Sequence, residues 1–136
     1  MSRLNQIASA VAVHAVLAWN DDGATLSVVA EPQAAESLSH DGNPHGIFVF
    51  EEDAPERLDF KQQRRRVVGT CQFSDENGIT RETMDLRIEG TRDRIFADET
   101  LSASVDDVTA EAGITFSSPD DTIVYGTLDV TTEEIF

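Results

Sequence analysis

The sequence predicts an α+β domain: a mixed or antiparallel β-sheet carrying an N-terminal helix and, on one of two readings of residues 79–98, a second helix packed on it, with a long projecting β-hairpin arm. Three observations predict it. Apolar residues recur at spacings of three and four near the start, two apolar runs flank a charged excursion in the middle, and the last third interleaves β-branched and aromatic residues around one clear turn. A length of 136 residues suits one domain, 1–136, and a hydrophobic fraction of 40% spread along the chain argues for a folded core.

Arg3 to Asn20 is the first helix, because Leu4, Ile7, Ala8, Val11, Ala15 and Ala18 fall on one face, with Ser2 as a cap and Asn20-Asp21-Asp22-Gly23 as the stop. Arg3 ahead of an apolar run resembles a short signal peptide. His14, Gln6 and Ser9 dilute that run, the chain lacks the cysteines of a secreted domain, and the run falls short of the about 20 apolar residues that a membrane span needs. Thr25 to Ala30 is a short strand, and Glu31 to Pro44 is a polar link closing on the turn signal Asp41-Gly42-Asn43-Pro44.

The central stretch runs from Gly46 to Phe73. Its apolar runs, Ile47 to Phe50 and Val67 to Phe73, bracket sixteen mostly polar residues, an arm at about 51–66 that is too long for a simple hairpin turn. Pro55 blocks regular pairing, Leu58 and Phe60 alternate with Asp59 and Lys61, and Arg64, Arg65 and Arg66 form the one cluster of positive charge. Residues 79–98 admit two readings. Asn77-Gly78 can turn the chain into a strand in which Met84, Leu86 and Ile88 alternate with polar residues. Alternatively Ser74, Asp75 or Asn77 can cap a helix with Met84, Ile88 and Ile95 on one stripe, in which Gly90 costs about 1 kcal/mol relative to Ala. Val108 to Phe116 and Thr122 to Phe136 are strands around the Ser117 to Asp121 turn, and the second carries apolar groups on both parities, as suits a strand between other elements.

The net charge is −16, and of ten basic residues only Lys61 is a lysine. Such a surface repels itself in dilute buffer and is tolerated in concentrated salt, where the screening length falls to roughly 3 Å at 1 M. Composition of this kind resembles that of proteins from salt-loving microbes or their viruses, an ordinary acidic domain being the alternative. It also argues against affinity for nucleic acid through phosphate neutralisation.

No residue pattern singles out catalysis, and no cofactor motif occurs. His40 and His45 around Asp41 offer too few ligands for a zinc site and read as solvated loop residues. His14 reads as a partly buried, hydrogen-bonded helix residue. The neighbouring acids Glu51-Glu52, Asp106-Asp107, Asp120-Asp121 and Glu133-Glu134 are what 26 acidic residues produce by chance. Cys71 reads as a small core residue, and Trp19 and Tyr125 as core or interface anchors.

The order of elements, at this length, resembles the tail terminator (tail-completion) proteins of long-tailed viruses. The residues that carry the likeness are the helix RLNQIASAVAVHAVLAW, the strand IFVF with its charged excursion, the return RRRVVGTCQF, the segment RIFADETLSASVDDVTAE and the closing strand IVYGTLDVTTEEIF. The resemblance favours a helix ending near Asp98. It implies a non-enzymatic virion component without cofactor or metal, forming a ring of typically about six subunits on the head-proximal end of the tail tube. Such a ring stops tube polymerisation, meets the neck or head-completion protein, and passes DNA through its lumen without specific binding or membrane contact. Assembly in the cytoplasm of a halophilic, archaeal host is then expected.

In this reading the arm residues Arg57, Leu58, Phe60, Lys61, Arg64, Arg65 and Arg66 contact a neighbouring subunit or the tube. Equally, the arginines can serve to offset Glu51, Glu52 and Asp53 across the hairpin. The alternative function is a small cytoplasmic α+β module of a halophile, binding a ligand or protein in a pocket between helix and sheet.

Overall fold

Among the described residues, two helices lie against one face of a seven-stranded sheet and no element covers the other. The computed structural model describes residues 3–29, 43–52, 56–57, 61–101 and 105–135. In chain order the elements are α1 (Arg3–Asp21), β1 (Ser27–Val29), β2 (His45–Glu52), β3 (Glu56–Arg57), β4 (Gln63–Asp75), α2 (Arg81–Phe96), β5 (Asp107–Ala112), β6 (Phe116–Ser117) and β7 (Val124–Ile135). The sheet order is β1-β2-β4-β7-β5. β1 runs parallel to β2 and the remaining pairs are antiparallel. This is the α+β class with an N-terminal helix that the sequence predicts.

The spacing that marks α1 also sets its packing. Ile7, Ala8, Val11, Ala15 and Ala18 are buried, as is Trp19, whose ring lies tilted by 30° against that of Phe73 of β4 with centroids 4.6 Å apart. Phe48 of β2 meets Phe73 edge-on at 5.8 Å, so one aromatic group joins α1 to the two strands behind it. Each fully buried side chain of this size contributes about 1.5–3 kcal/mol.

The contested segment 79–98 is a helix. Its cap is Thr80, not Ser74, Asp75 or Asn77: Thr80 Oγ1 accepts a 3.1 Å hydrogen bond from the Thr83 amide, and β4 extends through Asp75. Helical spacing places Met84, Ile88 and Ile95 in the core together, whereas a strand would expose one face of the same run. Gly126 of β7 gives Met84 and Ile88 their seat, since a Cβ there would collide with the Ile88 side chain. Gly90 sits where α2 crosses α1, facing Ala18.

The arm is shorter than expected. Arg64, Arg65 and Arg66 belong to β4 and pair with Ile135, Glu134 and Glu133 of β7, while Glu56 and Arg57 fold back on Arg64 and Gln63. Glu51 and Glu52 likewise remain in β2, opposite Val68 and Val67. These polar residues extend the sheet beyond the apolar core, because a strand between two partners satisfies its backbone whatever its side chains are. Ala54, Pro55, Leu58, Asp59 and Phe60 lie outside the described residues. His45 likewise begins β2 and is half-buried, not in a solvated turn.

Candidate functional site

The register of the sheet determines which side chains share its uncovered face. On β2, β4 and β7 the side chains facing the helices are buried, among them Phe48, Val67, Cys71, Phe73, Leu128 and Val130. The opposite parity forms cross-strand rows. One row is Ile47, Gln72 and Thr127, the next is Val49, Thr70, Asp129 and Glu111, and the next is Glu51, Val68, Thr131 and Thr109. A last row places Arg66 opposite Glu133 and Glu133 opposite Asp107. Val49, Glu51, Val68, Thr70 and Gln72 line a shallow depression of about 460 Å³ in this face. At the far end of β7, Phe116 and Tyr125 stack at 5.1 Å.

The predicted interface residues gather at one corner of the sheet. Arg57, Lys61 and Arg66 are exposed, and Arg64 and Arg65 are half-buried. Together they are five of the chain's ten basic residues. Arg65 points to the helix side, where its Nε lies 2.8 Å from Glu52 Oε1 and its Nη1 lies 3.6 Å from Glu134 Oε2. For Arg65, then, the offsetting partners expected across the hairpin are real, with Glu134 of β7 joining Glu52. Arg64 and Arg66 lie on the uncovered side by register. Leu58 and Phe60 are outside the described residues.

A second charged group, invisible to sequence reasoning, lies at the opposite end of β4. Arg87 of α2 is buried and donates through Nε to Asp22 Oδ2 at 2.7 Å and through Nη1 to Asp75 Oδ2 at 3.0 Å. Asp75 also accepts the Asn77 amide at 2.7 Å, and Arg94 pairs with Asp21 alongside. The group ties the end of α1, the end of β4 and the first turns of α2. Its members are far apart in sequence, Asp75 lying 12 residues and Asp22 65 residues from Arg87.

Other candidates resolve into structure. His14 is half-buried, with Nε2 2.9 Å from Asp98 Oδ2. Asp120 closes the β6–β7 turn: hydrogen bonds from the Ser118 and Thr122 hydroxyls and the Thr122 amide hold its carboxyl below the usual range. Cys71 is fully buried, and burial pushes its thiol far above the ordinary value, with the Asp129 charge adding to the effect. Among the described residues no three His, Cys, Asp or Glu side chains converge as a metal site, and no helix is long and apolar enough to cross a membrane. His40 and Asp41 lie outside the described residues. The groove between α1 and α2, lined by Ala18, Asp22, Leu86, Arg87 and Gly90, is open to solvent.

What this arrangement offers is surface chemistry: an uncovered sheet face, acidic toward β5 and basic at the β3–β4 corner. Compared with protein-family models and with curated proteins, the chain matches none.

Proposed function

We propose that this chain is a structural virion protein that forms a ring at the head-proximal end of a viral tail tube, stops tube growth and joins the tail to the neck of the capsid. The observation that carries the reading is the order of elements: helix, short strand, strand, charged excursion, long return strand, helix, and closing strands of which the last, β7, pairs with the return strand. The uncovered, charge-polarised sheet face supports it, because a subunit of a ring needs two different contact patches. The acidic balance fits a virion of a halophilic host and a lumen through which DNA slides by like-charge repulsion.

Size-exclusion chromatography with light scattering in molar salt tests the reading. A closed species of about six subunits is expected, and a strict monomer at every concentration overturns it. Deleting residues 54–63 is expected to leave a cooperatively folding subunit that assembles poorly. Loss of cooperative unfolding in that deletion would place the excursion in the core and remove it from the interface.

A further inference from the structure

Asn77-Gly78, which the sequence offers as a hairpin turn, turns no hairpin. The pair lies in the link between β4 and α2, ahead of Ile79 and the Thr80 cap. Gly78 has a φ of +76°, the left-handed region that glycine tolerates, and a Cβ there would meet nothing within 4 Å. Nothing crowds the bend. Both residues are exposed, and among the described residues their only hydrogen bond runs from the Asn77 amide to Asp75 Oδ1 at 2.7 Å. That leaves the Asn77 carboxamide and the Gly78 amide free.

These two free groups are an electrophile and a nucleophile held in reach of each other by the chain itself, and asparagine is among the chemically labile residues. The other asparagines are not equivalent. Asn5 and Asn20 lie within α1, where the helical backbone keeps each following amide directed back along the helix axis. Asn43 precedes Pro44, whose nitrogen carries no proton. Asp22-Gly23 repeats the pattern with a carboxylate, but the Gly23 amide donates to the Asn20 carbonyl at 3.0 Å and Asp22 Oδ2 is held by Arg87.

We propose that Asn77-Gly78 is a site of spontaneous covalent modification, at which the folded chain deamidates through a cyclic imide. The Gly78 nitrogen attacks Asn77 Cγ; the new C–N bond forms as the carboxamide C–N bond breaks, and ammonia leaves with the Gly78 amide proton. Solvent water then opens the ring. Hydrolysis at Cγ gives aspartate, whereas hydrolysis at the Asn77 main-chain carbonyl gives isoaspartate, whose backbone runs through the former side chain and is one carbon longer. No atom is oxidised or reduced. Either product adds a negative charge beside Asp75, and isoaspartate also lengthens the main chain between buried Asp75 and the cap of the helix that carries Arg87. The site is independent of the assembly put forward above.

The test incubates the full chain in mildly alkaline buffer, folded and in denaturant, beside folded N77Q. Intact mass and peptide mapping read deamidation, and methylation by an isoaspartate-specific methyltransferase reads the rearranged product. Folded wild type is expected to gain about one mass unit, mapped to residue 77, with isoaspartate present there. Its rate is expected to lie within about tenfold of the denatured chain's, because the fold leaves this link open. N77Q is expected to lose the gain, since glutamine must close a larger ring. Mapping on wild type needs no variant to fold. Modification more than about tenfold slower in the folded chain than in denaturant, or arising first at another asparagine, overturns the site. A mass gain at residue 77 without isoaspartate overturns the cyclic route.

Discussion

β4 has an arginine held between two carboxylates at each of its ends, and the two groups differ in burial more than in chemistry. At the start of the strand Arg65 lies between Glu52 and Glu134, with all three side chains a quarter to a third exposed. At the other end Arg87 lies between Asp22 and Asp75, and its side chain is 9% exposed and that of Asp75 2%. Water screens the whole of the first group; in the second it reaches Asp22, 53% exposed, and is largely excluded from Arg87 and Asp75. A half-exposed pair contributes about 0–1 kcal/mol. A buried pair adds little net stability over an apolar replacement, yet losing one partner strands a charge. The first group is free to change without harm to the fold, and the second is part of it.

The largest effect expected from this contrast is Arg87→Ala. Removing the guanidinium leaves Asp75 buried with the Asn77 amide as a remaining donor, and the loss should be about 3–5 kcal/mol in denaturant unfolding. A loss below about 1 kcal/mol would mean that water reaches Asp75 through the α1–α2 groove, and the two ends of β4 would be alike. Next is Gly90→Ala, beside Arg87 in that groove. The added methyl meets Ala18 Cβ at 3.7 Å, an ordinary contact, so the change should stabilise by about 0.5–1 kcal/mol through helix propensity. Destabilisation there would show that the helices need to approach more closely around the Arg87 group.

Arg65→Ala should cost at most about 1 kcal/mol, with the cost vanishing in molar salt. The finest comparison uses Cys71, midway between the two ends. Its buried thiol stays protonated, so a thiol reagent at about pH 8 should label it only as fast as the subunit opens. Labelling should accelerate in Arg87→Ala and stay unchanged in Arg65→Ala. Because the folded thiol is raised above the ordinary 9.0, its contribution to stability is present below that pH and is lost as the pH climbs past it. Equal labelling rates in the two variants would erase the distinction.

Local pattern carried much of the architecture. The three-and-four spacing from Leu4 to Ala18 located α1 to within a residue, and the turn signal before β7 was read in place, although the strand expected over Val108 to Phe116 breaks after Ala112 and resumes as β6 at Phe116–Ser117. Local pattern failed where partners decide. Residues 79–98 satisfy both periods over short windows, and the helix prevails because Met84, Ile88 and Ile95 then reach one core with Gly126 beneath them. Arg64 to Arg66 read as an excursion because their side chains are polar, although their backbone is held by β7 on one side. Arg87 read as one polar residue among many, since its burial depends on Asp22, which lies 65 residues away. The like-charge pairs of β5 and β7 were hidden for a related reason: both strands were visible, but their register was not.

The position of β7 in the sheet has a kinetic consequence. It is the last strand of the described chain, yet it lies between β4 and β5 and contributes to the core through Val124, Leu128 and Val130. During synthesis the helices and the β2–β4 hairpin emerge with one flank of β4 unpaired, and the sheet closes only when residues 124–135 are released. Until then the exposed flank of β4 is a template for strand pairing with other chains. Folding should therefore be slow for a domain of this size, and truncation within β7 should yield aggregate, not a smaller soluble subunit.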